Sequence, residues 1–376
     1  MNKFDIITQI NPKNLTLQLM KNKNDLDYII VGGGLAGMLI AWELLERGKN
    51  FLIYCNNSPA SSNVAAGTWN PVTFRKMIPT WRSQEMIDKI LTVYPKIEQK
   101  LGINLLSFIQ VEKILSNEQE EEFWKKMANT KESKNFLEPH LNDAVIKGES
   151  KKLGLVKQTG RIDLPKYVEK SQMHFHKKNH LVFDTFDHSI LEIFDHSIEY
   201  KSIKSGNIIF AEGTYAEENP LFSWLPFKPV KGDVLTIESK DLNINKIRKK
   251  NIFILPLGEN KYKIGATYHW SDKSWKPSEK AKLELMEKFE KISDCTYTVI
   301  DHESGIRPAT HDRRPFIGSH PTHKNIHIFN GLGSKGVFLG PLLASEFCDF
   351  LENKGEIHPE VSIERCVGKY FRTPGA

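Results

Sequence analysis

The sequence predicts an α/β protein: a nucleotide-binding domain assembled from separated segments, carrying an inserted α+β domain built on an antiparallel sheet. Three observations predict it. The apolar run 28–31 meets the turn "GGGLAG", and Leu35, Leu39, Trp42 and Leu45 then recur at helical spacing. A second apolar run at 326–329 also meets a glycine-rich turn, "NGLGSKG", and leads into a helix. Between these ends the chain mixes helices with strands paired around short turns, as at "GEN".

In chain order, 28–31 reads as a buried parallel strand and 35–47 as its helix. Gly48 stops that helix and 51–54 forms the next strand, completing a βαβ unit. Helical patterns follow at 83–101 and at 118–127, the latter acidic at its start. The segment 183–200 contains "FDHSI" twice, and the alternation around it predicts a hairpin. "NIIFAEGTY" is a strand ending in a glycine. Segments 252–255 and 261–267 are antiparallel strands, 278–292 is a helix, and a last helix covers 337–351. The expected division is a polar extension at 1–25 and a nucleotide-binding domain from 26–85, 150–220 and 300–376. The substrate domain takes 86–149 and 221–299.

At 376 residues the chain has room for two or three domains of about 150 residues. No run of about 18 apolar residues is free of charges, so no membrane span is expected. Residues 1–25 lack an apolar signal core, and the four cysteines form no CxxC pair; a reducing cytoplasm fits both. The net charge of +6 is spread over many lysines, which argues for a solvated surface rather than a nucleic-acid partner. His174 and His176 form an HxH with no third ligand at useful spacing, so no metal site is expected. No GxSxG supports a hydrolase. Oligomeric state is not readable.

Gly32, Gly34 and Gly37 form a GxGxxG fingerprint. Gly32 permits the tight turn, Gly34 lets backbone approach a pyrophosphate, and Gly37 lets the helix pack on the strand. With Gly33, Leu35 and Ala36 they present a helix N-terminus to phosphate. The acid that would bind ribose hydroxyls is replaced by Cys55, a poor acceptor, followed by Asn56 and Asn57. This unit alone does not choose between NAD, NADP and FAD. "SSNVAAGTWNP" then offers Ser61, Ser62 and Asn63 as phosphate donors. Its small residues let the backbone pass a flat cofactor.

Several further motifs follow in order: "TGRIDLPKYV", "AEGTY", "PVKGDVLTI", "ILPLGENKYKIGATY", "SGIRPATHDRRPFIG" and "FNGLGSKGVFLGPLLASEF". With the fingerprint they resemble the FAD-dependent D-amino acid oxidase family, in particular its glycine oxidase and sarcosine oxidase members, from Asp27 to about Glu352. The resemblance implies a Rossmann-like (GR2-type) domain holding FAD in an extended groove. By position, Gly32 to Gly37 surround the pyrophosphate, with Cys55 and Asn56 at the ribose. Ser61, Ser62, Asn63, Ala66, Gly67 and Thr68 line the pyrophosphate and flavin. Gly213 and Thr214 match a cofactor-side strand end. Gly331, Gly333, Ser334, Lys335 and Gly336 match the loop over the flavin pyrimidine ring. Where sarcosine oxidase-like members tether FAD through cysteine, this chain has the neighbourhood of Gly305, so non-covalent FAD is expected.

The implied reaction oxidises a C–N bond by hydride transfer to the flavin, with oxygen or an electron carrier as acceptor. Arg307 matches the residue that grips the substrate carboxylate, and a flat guanidinium suits that task. Pro308 holds Arg307 in extended backbone. Lys335 is placed to meet the flavin edge, a carboxylate or oxygen. Phe253 stands where glycine oxidase-like members carry a substrate-binding tyrosine, and Ser334 where they carry a second arginine. Both departures argue for a larger or more apolar amine than glycine, with Tyr268, His269 and Trp270 at the pocket wall. Two alternatives stay open: oxidation of a modified tRNA nucleoside, and a non-catalytic FAD-binding role.

Overall fold

The computed structural model describes residues 25–372. Apart from Asp25, the polar extension expected at 1–25 lies outside the described residues.

Five parallel strands form the heart of the first sheet. Their spatial order is Leu181–Phe183, Phe51–Cys55, Leu26–Val31, Ile203–Phe210 and Ile326–Asn330. Their C-terminal stretches are mostly apolar and buried, as a covered parallel sheet requires, whereas Asp27 and Lys204 near the strand starts are exposed. Phe316–Ser319 pairs antiparallel with the last of them. On one face, Ile30, Phe51 and Ile53 pack in one cluster with residues of the helices Leu35–Glu46, Ser83–Leu101, Leu164–Lys177 and Gly336–Leu351. On the other, Ile29, Leu52 and Tyr54 meet Phe186, Tyr200 and Phe222. The two copies of "FDHSI" behave differently. The first makes a 3-10 turn at His188–Ile190, and only the second lies within the hairpin of Glu192–Ile193 and Ile198–Tyr200.

The helices Leu35–Glu46 and Gly336–Leu351 dock through glycine. A Cβ on Gly336 would stand 2.8 Å from Leu35 Cδ2, and one on Gly340 would stand 2.5 Å from Leu39 Cδ1. Both helices start at the same groove.

The second sheet has eight strands. Their order is Thr298–Arg307, Val230–Glu238, Lys261–Gly265, Phe253–Gly258, Ile247–Lys249, Val111–Ile114, Glu149–Val156 and Leu137–Ile146. Pairing is antiparallel except between Ile247–Lys249 and Val111–Ile114. One face packs Leu235, Ile254 and Ile264 against Leu285 and Phe289 of the helix Glu279–Glu290. The opposite face looks toward the first sheet's glycine turns.

Strand pairing and helix packing cross the division expected from the sequence. Glu149–Val156 and Thr298–Arg307 hydrogen-bond into the antiparallel sheet, so 150 and 300 do not begin parallel-sheet segments. The helix Ser83–Leu101 packs on Gly336–Leu351, so the first segment extends past 85.

Candidate cofactor and substrate groove

A groove of about 1180 Å³ runs from Tyr54–Asn57, past the turn at 32–35 and the segment 61–68, to Phe253, Arg307 and 332–338. Its wall at the first turn is bare backbone by necessity. Gly32 has φ +116°, and a Cβ there would lie 2.3 Å from the Ala211 carbonyl oxygen. Gly37 faces inward, where a Cβ would reach the Gly32 carbonyl. It serves the packing and does not line the groove. Gly34 is the N-cap of Leu35–Glu46 and offers no side chain; the Leu35 N–H instead donates to Ser62 Oγ at 3.1 Å. Neither this helix nor Gly336–Leu351 has an acid in its first turn, so both N-termini bring free amides and positive potential to the groove.

Cys55 is buried, with its sulfur where a Cβ of Gly33 would go; Gln172 Nε2 bonds the Gly33 carbonyl at 2.8 Å and approaches the Cys55 sulfur at 3.5 Å. Burial pushes the thiol up to about 11. A carboxylate does reach this end of the groove from the adjacent strand. Asp184 follows Leu181–Phe183, its N–H donates to the Cys55 carbonyl, and its Oδ2 accepts from Lys201 at 2.7 Å.

The antiparallel sheet supplies the other wall. Lys249, Phe253, Gly265, Val234 and Glu303 are cross-strand partners in one row and share a face with Gly232, Gly305 and Arg307. The glycines clear space. A Cβ on Gly232 would lie 2.2 Å from the Arg307 guanidinium, and one on Gly305 would lie 3.4 Å from Ser61 Cα. Arg307 is half-buried, donates to the Thr267 carbonyl at 3.3 Å and lies 4.4 Å from the centre of the Tyr268 ring. Burial lowers its pKa, against the opposing pull of Tyr268 and Asp233. Among the described residues no carboxylate forms an ion pair with it. Glu303 is engaged by Lys263 at 2.9 Å.

The predicted residues do not all converge. Gly32–Ala36, Cys55, Asn56, Ser61–Asn63, Ala66–Thr68, Gly213, Thr214, Phe253, Tyr268, Gly305, Arg307 and 333–336 line the groove. Gly331 instead packs on Thr310 and Phe316. His269 turns away to Glu284 on the helix behind the sheet, at 3.4 Å, and Trp270 sits over Lys228; neither walls the pocket. Tyr268 and His269 are adjacent in extended backbone, so their side chains take opposite faces. Lys335 lines the groove with its Nζ bonded to Thr80 Oγ1 at 2.7 Å, and burial pushes its pKa down to about 8. His174 stacks near Trp42, and His176 Nδ1 pairs with the Leu181 carbonyl. Lys249 and Asp184 are groove residues that no local motif announces.

The donor set suits an extended dinucleotide. Bare glycine backbone meets two helix N-termini at mid-groove, asparagines and a carboxylate stand at one end, and an apolar wall with a cation stands at the other. The sequence matches the family of FAD dependent oxidoreductases (DAO) over residues 27–350. It is 28% identical over 131 residues to the glycine oxidase of Bacillus subtilis, covering 34% of this chain and 36% of that protein. It is 27% identical over 154 residues to the glycine oxidase of Geobacillus kaustophilus, covering 38% and 39%. The aligned part thus spans little more than a third of these curated relatives. In fold, the chain resembles the glycine oxidase structure from Bacillus cereus, with TM-score 0.73 and 17% identity over 89% of this chain and 99% of that one. It also resembles iminodiacetate oxidase from Chelativorans sp. BNC1, with TM-score 0.70 and 17% identity over 90% and 98%. No helix among the described residues is long and apolar enough to cross a membrane.

Proposed function

From the premise that the chain belongs to the FAD dependent oxidoreductase (DAO) family, we propose that it oxidises a C–N bond of an amino acid or secondary amine bearing a carboxylate. The observation that carries this reading is Arg307: a half-buried guanidinium on the groove wall, with an aromatic ring beneath it and no ion-paired carboxylate among the described residues. An unpaired cation in such a place is costly unless an anion arrives.

Bound FAD supplies the acceptor for the hydrogen and electron pair leaving the substrate's α-carbon. The chain's residues do the rest by position and charge. Gly32–Ala36 and the segment 61–63 would hold the pyrophosphate, and Asn56 and Asp184 would hold the ribose end. The amides that begin Gly336–Leu351, with the Lys335 ammonium, line the groove and would supply positive potential to a bound flavin. Arg307 donates two N–H bonds to the substrate carboxylate and so fixes where the amine and α-carbon sit. Phe253 and Tyr268 exclude water around it. Cys55, the cysteine lining the groove among the described residues, stands at the ribose end packed on Gly33, which supports non-covalent FAD.

Anaerobic mixing of the holoenzyme with carboxylated primary and secondary amines tests the reading. At least one is expected to bleach the flavin absorbance, its carboxamide counterpart is not, and Arg307→Ala is expected to raise KM at least tenfold. If no amine reduces the flavin, the oxidase reading fails and a non-catalytic FAD role replaces it.

A further inference from the structure

We propose that the substrate carries two carboxylates, one held by Arg307 and the other by Lys249, with the amine to be oxidised between them. This rests on the reading of Arg307 as a carboxylate anchor.

Lys249 ends the strand Ile247–Lys249 and shares its sheet face with Arg307. It lines the same groove, its ammonium lies 5.9 Å from the centre of the Phe253 ring, and among the described residues it has no hydrogen-bond or ion-pair partner. Burial is the main force lowering its pKa to about 8, and the Arg307 charge adds to it. The charged groups around it are occupied. Lys113, its partner on the next strand, is bound to Glu120, and Lys288 behind the sheet is bound to Glu284. Glu303 is held by Lys263, and Asp233 faces the other way, toward His302. The wall therefore presents two uncompensated cations.

Their spacing points to a short molecule. Arg307 leans over Gly232 on the adjacent strand, and Lys249 leans over Phe253 on its own neighbour. Across the sheet the two heads are about two strand spacings apart, and Gly232 stands two residues along from the row of Phe253, Gly265 and Val234, so they are separated by roughly 12 Å. Gly265 lies between them, and Val234 and Phe253 close over its backbone, so the wall between the two cations is apolar. A carboxylate at each cation leaves room for a linker of roughly three to five atoms. This fits an N-carboxyalkyl amino acid or a short aminodicarboxylate. Neutralising both cations in one event distinguishes such a ligand from a monocarboxylate.

The test uses thiodiacetate and (methylthio)acetate, which lack the amine nitrogen, titrated into the FAD-loaded protein by calorimetry. The wild type is expected to bind thiodiacetate about tenfold or more tightly than (methylthio)acetate. Lys249→Met is expected to erase that preference while keeping its affinity for (methylthio)acetate, and Lys249→Arg to retain it. Removing an unpaired cation should leave thermal stability equal or higher, so a melting curve separates lost binding from lost folding. Equal affinities in the wild type, or a preference that survives Lys249→Met, overturn the proposal and leave Arg307's role intact. Affinities for both ligands unchanged by Arg307→Met overturn the underlying reading and this proposal with it.

Discussion

The Arg307 guanidinium lies over the Tyr268 ring, 4.4 Å from its centre, and above a strand position where any side chain beyond glycine would strike it. Aim and clearance are therefore set by two neighbours, Tyr268 and Gly232. Gly232→Ala should displace the guanidinium by pushing on its two terminal nitrogens. The expected result is a folded protein, destabilised by about 1–3 kcal/mol, with KM for a carboxylated amine raised tenfold or more and less change in kcat. Steady-state kinetics with a thermal melt checks this; an unchanged KM would show that Arg307 tolerates re-aiming.

Restoring an acid at the usual ribose position should not help. Cys55 packs on Gly33, and a carboxylate there would be buried against backbone. Cys55→Asp is expected to lower stability by about 1–3 kcal/mol and to weaken FAD binding. Asp184→Asn, by contrast, should fold normally and lose roughly tenfold in FAD affinity, the effect of one charge-assisted hydrogen bond. Fluorescence titration of the apoprotein with FAD separates the two.

Lys249 and Lys335 are each lowered from 10.5 to about 8, mainly by burial. Between pH 8 and 10.5 the unfolded chain holds more protons than the folded one, so their contribution to stability rises with pH across that window. Below pH 8 the penalty of keeping both charged is fully present. Denaturant melts of the apoprotein should show a smaller rise with pH in Lys249→Met than in the wild type.

Lys231 is 1% exposed and its Nζ reaches Asp272, Ser274 and the Lys276 carbonyl, pinning the loop that carries Trp275 onto the groove. Lys231→Ala should cost about 1–3 kcal/mol, less than a fully buried pair because Asp272 is 38% exposed. Limited proteolysis should find the loop at 270–276 cut faster.

Legibility in the sequence followed locality. The turn at 32–37 and its flanking elements were readable because glycine, apolar run and helical spacing all sit within thirty residues. The helix Leu164–Lys177 is not among the elements expected from the sequence, although Asp163 and Pro165 mark its start in the ordinary way. Arg307 was found through the order of motifs; what it rests on, Gly232 and Tyr268, depends on strand pairing. Lys249 is one lysine in the lysine-rich "KIRKKN", and nothing short of the sheet register sets it apart. Asp184 acquires its place from a neighbouring parallel strand, and the face that His269 takes depends on strand pairing, which has no local marker at a strand end.

The contact of Gly336 and Gly340 with Leu35 and Leu39 makes a glycine-thin shim between the chain's two phosphate-facing helices. Its thickness fixes how far apart the grips on the dinucleotide's middle and on its reactive ring can stand. A methyl added at either glycine would act as a wedge on a ruler, misreading the cofactor's length without touching the cofactor.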